Sequence, residues 1–247
     1  MNEIVTWLRQ QATAASARGF VVGLSGGIDS AVVARLCQLA APGQMAAVIL
    51  PCRSDPQDEA DAGIVADTFG IPAIRIDLEP AYDALVSEAS LGLAALPSEV
   101  RPPTDEAAAR VAHGNVRPRL RMTALYYLAN SLNYLVAGTG NRSELMIGYF
   151  TKHGDGGVDV LPIGHLLKSQ VRSLAKDLGI PPSIIDKTPS AGLWLGQTDE
   201  AEMGFSYADL ERYLTNGPEG VSPALALRLE RMIRATEHKR TLPPTPE

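Results

Sequence analysis

The chain has 247 residues, of which 45% are hydrophobic and 20% charged, a composition typical of a globular protein with a substantial core. Its net charge of −6 argues against a nucleic-acid partner, because contact with phosphate backbones normally requires a basic surface. No window is apolar enough to span a membrane and no leader pattern opens the chain, so we expect a cytoplasmic protein without a membrane partner. Cys37 and Cys52 show no metal-ligand or disulfide spacing and are expected to be free thiols.

The hydrophobic pattern predicts alternating helices and strands. The first predicted elements are a helix over 3–18, a strand over 20–24 and a helix over 31–40. They are followed by a strand at 45–50, a helix over 56–69 and a third strand at 74–78. After a proline-bearing connection around 97–103, a long helix passes through 119–129 and leads to a fourth strand at 134–137. This order predicts an α/β fold with a doubly wound parallel sheet and helices on both faces, with ligands beyond the carboxyl ends of the strands.

The first strand runs into a glycine turn that opens the next helix. The turn consists of Gly23, Leu24, Ser25, Gly26, Gly27, Ile28, Asp29 and Ser30. Glycines allow the backbone N–H groups to point inward, and the helix start adds its positive end, so the turn predicts a phosphate site. Asp29 would repel a bare phosphate and therefore indicates a bridging divalent cation, whereas the lack of a following lysine excludes a Walker A loop. The alternative is a turn that only joins a core strand to a core helix.

Two further glycine-rich segments follow the fourth strand. Residues 138–144 form another turn into a helix, which places Glu144 as a second carboxylate for a metal. Residues 148–159 are rich in both glycine and ionisable groups, which favours a functional loop over the alternative of a surface hairpin.

Three more polar features are less specific. Two of them allow two interpretations each, and the third predicts only a general role. Lys168 opens an amphipathic helix and is either a phosphate ligand or a solvated first-turn lysine. Residues 189–200 follow no helical or strand period and, with Trp194 between glycines, predict a mobile lid. The acidic residues at 55–61 either order over a nucleotide or form a solvated helix start, and the second interpretation is favoured.

Taken together, these motifs resemble those of the ATP pyrophosphatase superfamily and, within it, of the ammonia-dependent NAD⁺ synthetases. The resemblance extends from Gly23 to Arg240 and is carried by segments 23–30, 119–122, 138–144, 151–159, 189–200 and 237–240. It implies a Rossmann-like fold in a single domain over residues 1–247. It also implies a carbon–nitrogen ligase that amidates deamido-NAD⁺ with ammonia through an adenylated carboxylate, releasing AMP and pyrophosphate from ATP.

The resemblance further implies roles for individual residues. The turn from Gly23 to Ser30 would bind ATP together with Thr139, Lys168 and Ser190, and Asp29 and Glu144 would bind Mg²⁺. Arg119, Lys152, Asp159, His238 and Lys239 would bind deamido-NAD⁺, in a groove of a homodimer. Asp29 and Lys168 would act in adenylate formation, and Asp155 or Asp159 would attract ammonium and take its proton.

Two alternative functions remain open. Another ligase of the ATP pyrophosphatase type, such as a tRNA-modifying enzyme, would share residues 25–30 but should add a basic extension or sulfur-transfer cysteines. A catalytically silent nucleotide sensor should lack the metal carboxylates, whereas Asp29 and Glu144 are present. The sequence shows no glutaminase-like segment, so free ammonia is the expected nitrogen source.

Overall fold

The computed structural model describes residues 1–101, 105–190 and 198–246. The strands are β1 (Gly19–Gly23), β2 (Met45–Ile49), β3 (Ala73–Arg75) and β4 (Tyr134–Val136). The helices are α1 (Asn2–Ala14), α2 (Ile28–Ala40), α3 (Pro56–Phe69), α4 (Glu79–Ala95), α5 (Glu106–Leu132), α6 (Arg142–Ile147), α7 (Lys168–Asp177), α8 (Pro182–Ile185), α9 (Asp199–Met203), α10 (Tyr207–Asn216) and α11 (Pro223–Ala235). Most of the predicted lid, including Trp194, lies outside the described residues.

The four strands form one parallel sheet in the order β3-β2-β1-β4. Side chains along β1 alternate between two buried clusters: Phe20 and Val22 pack with α1, α2, α3, α7 and α8, while Val21 packs with α4 and α5. The predicted doubly wound α/β fold with helices on both faces is therefore confirmed. Within the described ranges, no helix is long and apolar enough to cross a membrane.

Three elements differ from the sequence prediction for local reasons. The third strand, expected at 74–78, ends at Arg75, because Asp77 accepts a hydrogen bond from the Glu79 N–H (3.0 Å) and the chain turns there into α4. The helix α4 itself was not predicted, since it buries only Tyr82 and its apolar residues follow no clear stripe. The first helix ends at Ala14 rather than residue 18, and Ser16 then adopts a positive φ of 53° that reverses the chain.

The topology brings several loops to one edge of the sheet. β1, β2 and β4 are parallel neighbours, so the segments that follow them leave the sheet side by side. A third buried cluster, formed by α6, α9, α10 and α11, packs beyond this edge. Between these parts lies a cavity of about 490 Å³, a volume suited to a small-molecule ligand.

Candidate active site

The turn after β1 forms a tight loop whose glycines are required by its geometry. Gly26 has a φ of 75°, and a Cβ at this position would lie 2.4 Å from the Asp58 carbonyl oxygen. The Ser30 hydroxyl donates to the Gly27 carbonyl (2.9 Å) and lies 3.0 Å from the Ser25 hydroxyl. Gly27 precedes α2 without a capping side chain, so the first-turn N–H groups face the cavity uncapped and suit an anion.

Two carboxylates and one lysine meet beside this loop. The Lys168 ammonium contacts Asp29 directly and lies 3.4 Å from Glu144 Oε1. Asn141 donates from Nδ2 to Asp29 Oδ1 (3.0 Å), and it forms a capping box with Glu144 at the start of α6. Lys168 is only 3% exposed, so the alternative of a solvated first-turn lysine is wrong.

The charges of this group are strongly perturbed. Burial raises the pKa of Glu144 to about 7, and the nearby charges of Asp29 and Asp199 act in the same direction against the opposing Lys168. Burial would lower the pKa of Lys168, but the charges of Asp29 and Glu144 outweigh it and raise that pKa above its ordinary value. Lys168 therefore stays protonated at neutral pH, while Glu144 is close to its titration midpoint.

Tyr207, which the sequence analysis did not single out, connects this group to α9, and Tyr149 contacts α9 beside it. Tyr207 Oη lies 2.8 Å from Asp199 Oδ2 and 3.2 Å from Glu144 Oε1. Tyr149 Oη lies 3.3 Å from Asp199 Oδ1. A hydroxyl has one proton to donate, so Tyr207 satisfies both neighbours only when one carboxyl group is protonated, in keeping with the raised pKa values of Glu144 and Asp199. The capping box at Ser206 is a sequence signal that could have predicted the start of α10. It could not have predicted that the Tyr207 side chain contacts Glu144 and Asp199.

The acidic start of α3 pairs with a lysine near the cavity. Lys187 lies 2.8 Å from Asp58 Oδ1 and also contacts Asp61, which is only 7% exposed. Asp55 caps α3 by accepting a hydrogen bond from the Gln57 N–H. The favoured interpretation of a solvated helix start is therefore wrong for Asp61, and Lys187 is a cavity residue that no sequence signal revealed.

The loop over 148–159 lines the cavity and has no strand, so the surface-hairpin alternative is wrong. Asp155 lies on the cavity wall, and its Oδ1 accepts a hydrogen bond from the Thr151 N–H (2.8 Å). Burial raises the pKa of Asp155, while the Thr151 N–H and the positive charges of Lys239 and Arg121 oppose the shift. Asp155 remains exposed to solvent at the cavity.

Four of the five residues expected at a dinucleotide come together at the outer side of this loop. Arg119 donates to the Lys152 carbonyl (3.4 and 3.3 Å), and Lys152 donates to the His238 carbonyl (2.6 Å). Lys239 donates to two carbonyl oxygens of the same loop, each at 2.7 Å, and lines the cavity. Asp159 lies apart from the cavity lining, where its carboxylate accepts hydrogen bonds from the Tyr126 hydroxyl and the Val136 N–H.

The cavity gathers almost all the residues expected at ATP. It is lined by Gly23, Leu24, Ser25, Gly27, Ile28, Asp29, Ser30, Thr139, Lys168 and Ser190, while Gly26 packs against α3 instead. Asp155, Arg121 and Lys187 lie on the same lining. In the described part of the chain, no group of three or more His, Cys, Asp or Glu residues is arranged to hold a metal by itself.

Comparison with known proteins identifies the family. The family model for NAD synthase matches residues 1–243. The chain is 50% identical over 245 residues to the NH(3)-dependent NAD(+) synthetase of Carboxydothermus hydrogenoformans, covering 99% of this chain and 96% of that protein. It is 43% identical to the corresponding enzyme of Methanocaldococcus jannaschii, with 100% and 96% coverage.

A solved structure with a different described activity is also very similar. NMN synthetase from Francisella tularensis superposes with a TM-score of 0.88 at 40% identity and covers 99% of this chain and 96% of that one. NH3-dependent NAD synthetase from Campylobacter jejuni gives a TM-score of 0.78 at 28% identity, with 100% and 97% coverage. From the full-length match to the family model and the high identity to curated members, the chain belongs to the NAD synthase family.

Proposed function

We propose that this chain amidates the nicotinate carboxylate of deamido-NAD⁺ with ammonia and cleaves ATP to AMP and pyrophosphate. The observation that carries the proposal is the joining, in one cavity, of an anion-binding loop, the Asp29–Lys168–Glu144 group and the carboxyl of Asp155. A silent nucleotide sensor would need only the loop. We further propose that the chain is one domain over residues 1–247 and acts in the cytoplasm.

In the first half-reaction, the nicotinate carboxylate would attack the α-phosphorus of ATP. This step activates the carboxylate, whose oxygen is otherwise too poor a leaving group for ammonia. The uncapped N–H groups at the start of α2 would hold the phosphates, and the protonated Lys168 would stabilise the negative charge that develops on pyrophosphate.

The residues around Lys168 also fit a magnesium ion. Asp29 and Glu144 already converge on a cation, the lysine ammonium, and their oxygen atoms are the ligand type that Mg²⁺ prefers. Mg²⁺ in proteins is commonly held by one or two carboxylates together with substrate phosphates, so two protein carboxylates suffice. When bound there, Mg²⁺ would offset the charge of the departing pyrophosphate.

In the second half-reaction, ammonia would displace AMP from the acyl adenylate. Most ammonia is ammonium at neutral pH, so a carboxylate beside the adenylate would both attract it and accept its proton. Of the two candidates, the geometry favours Asp155, which lines the cavity. Asp159 directs its two oxygens to Tyr126 and to the backbone of Val136.

The similarity to NMN synthetase supports a second acceptor. NMN is the amide of nicotinate mononucleotide, so the same chemistry would run on an acceptor that lacks the adenylate half. Of the residues expected at the dinucleotide, Lys239 lines the cavity, whereas Arg119 and His238 are exposed, so a partner subunit would have to complete the site around them. We propose a homodimer for the dinucleotide reaction, whereas the mononucleotide could be held within one subunit.

The test is a substrate panel with the purified protein. With MgATP and ammonium chloride, deamido-NAD⁺ and nicotinate mononucleotide are each supplied as acceptor, and amide, AMP and pyrophosphate are quantified. We expect equal amounts of all three products with deamido-NAD⁺, and none when glutamine replaces ammonium. A larger kcat/KM for nicotinate mononucleotide than for deamido-NAD⁺ would assign the second function, the amidation of the mononucleotide. AMP without an amide product from either acceptor would refute both, as would no turnover at all.

A further inference from the structure

Arg121 is a cavity residue to which the proposed reaction gives no role. It lies on α5, and its side chain reaches the end of β2, where Nε donates to the Leu50 carbonyl (3.0 Å) and Nη2 donates to the Ser54 hydroxyl (2.9 Å). Both acceptors are neutral. These two bonds fix the guanidinium plane against the wall of the cavity.

The charge of Arg121 is not neutralised by its protein surroundings. Among the residues that the structure describes, no carboxylate forms an ion pair with it. Asp155 and Asp58 act on its charge without forming an ion pair with it, and Asp58 is itself paired with Lys187. Arg117 adds a second positive charge, and burial together with this charge lowers the pKa of Arg121.

Two lysines of the cavity lining are paired differently from Arg121, whereas the third, Lys239, also donates only to carbonyl oxygens. Lys168 and Lys187 each contact two carboxylates, and the exposed Arg53 lies 2.6 Å from Asp83. A buried charge without a counter-ion costs free energy, so it is retained where a ligand supplies the opposite charge. The planar guanidinium suits a phosphate or carboxylate, which can accept two hydrogen bonds from it.

We propose that Arg121 is a second anion site of the cavity, which binds a phosphate or carboxylate group of a bound nucleotide. The phosphate loop follows β1, and the Arg121 side chain binds the Leu50 carbonyl just after β2, the strand paired with β1. Lys168 lies on the other side of the loop, toward β4. An anion on Arg121 would therefore lie beside the triphosphate and not at the Asp29–Lys168–Glu144 group.

The anionic group has two sources, and binding experiments separate them. ATP carries a triphosphate, whereas the acceptor carries a nicotinate carboxylate and at least one phosphate. We propose titrating MgATP alone, and then nicotinate mononucleotide and deamido-NAD⁺ alone, into wild-type protein and the R121Q and R121K variants by calorimetry. This inference uses the proposed function only to choose the ligands, because none of these titrations requires turnover.

We expect R121Q to weaken the binding of one ligand class by about 10- to 100-fold, the loss typical of a charge-assisted hydrogen-bonded pair. R121K keeps the charge but not the planar fork, so its loss should be smaller. A loss confined to MgATP would assign the site to a phosphate of ATP. A loss confined to the acceptors would assign it to their carboxylate or phosphate.

Arg9→Gln is the matched control, because Arg9 also donates from Nε and Nη2 to neutral oxygens (3.0 and 2.9 Å) but lies outside the cavity. Its thermal stability should fall without a change in ligand affinity. If R121Q behaves like Arg9→Gln and all ligand affinities stay within twofold of wild type, Arg121 only stabilises the end of β2 through its hydrogen bonds. The proposal is then wrong. If R121Q does not fold, R121K decides instead, and unchanged affinities in that variant would likewise overturn the proposal.

Discussion

At Asp155, burial raises the pKa of a carboxyl group that the proposed reaction needs in its charged form. Between the ordinary and the raised value, the folded protein binds more protons than the unfolded chain, so the free energy of unfolding falls as the pH rises through this window. Above the raised pKa, the free energy of unfolding has fallen by the full amount that this residue contributes. A pH above the raised pKa therefore favours the catalytic charge state of Asp155 and lowers the free energy of unfolding through the same residue.

Asp155→Asn should separate these two effects. The asparagine retains an oxygen that can accept the hydrogen bond from the Thr151 N–H but removes the charge. We expect the variant to melt at a higher temperature than wild type at pH 8 and the difference to shrink as the pH falls through the raised pKa. Turnover at limiting ammonium should fall about 100-fold or more, as for loss of a general base.

Asp159→Asn supplies the contrast for the activity measurement, since that carboxylate lies outside the cavity lining. Its KM for ammonium should stay near the wild-type value. The proposed role of Asp155 would be refuted if Asp155→Asn kept near-normal turnover at limiting ammonium. Loss of that turnover in Asp159→Asn would assign the role to Asp159 instead.

At the scale of one element, the short helix α6 connects the two halves of the site. Its first turn holds Glu144 in the capping box, beside Lys168. Gly148, the residue that follows α6, has a φ of 69°. The C-terminal segment is hydrogen-bonded at this end of the helix: Thr236 donates to the Ile147 carbonyl (3.1 Å) and Lys239 to the Gly148 carbonyl (2.7 Å). Movement at this end of α6 would displace Lys239 but leave the capping box in place.

Gly148→Ala tests this connection. A Cβ at Gly148 would lie 2.2 Å from Thr236 Cβ, so the C-terminal segment must shift. We expect a several-fold higher KM for the acceptor nucleotide with little change in MgATP affinity, measured by steady-state kinetics and calorimetry. Gly70→Ala is the control, because Gly70 has a similar φ of 60° at the end of α3 but open space around its Cβ. Equal effects on acceptor KM in both variants would contradict the connection.

Elements with a strong local pattern were predictable, whereas contacts between distant segments were not. The strands at 20–24 and 45–50 and the helix start at Lys168 follow from hydrophobic period and breakers, and the structure places them within one residue. The short β3 and the poorly buried α4 depend on packing that no local period reveals. Likewise, the glycine turns pointed to Asp29 and Glu144, but Tyr207 and Lys187 reach the site only through tertiary folding.

For the whole molecule, the uncovered apolar surface lies mainly on one side of the sheet. The helix α4 buries only Tyr82, and Leu91 and Leu93 are 65% and 58% exposed. On the neighbouring α5, Tyr127 is 72% exposed. Single exposed apolar residues are common, but a long helix with one buried side chain is unusual unless a partner covers it. We therefore expect the proposed homodimer to form through α4 and α5.

Leu91→Lys combined with Leu93→Lys should dissociate this dimer, because a buried interface would have to desolvate two added charges. Sedimentation equilibrium should show a dimer for wild type and a monomer for the double variant, while Leu227→Lys on α11, at a position that is 53% exposed, should stay dimeric. Loss of deamido-NAD⁺ turnover in the monomer, with MgATP binding retained, would place the dinucleotide groove between subunits. A wild-type monomer that is fully active on deamido-NAD⁺ would mean that one subunit completes the site alone, and the exposed leucines would then need another explanation than self-association.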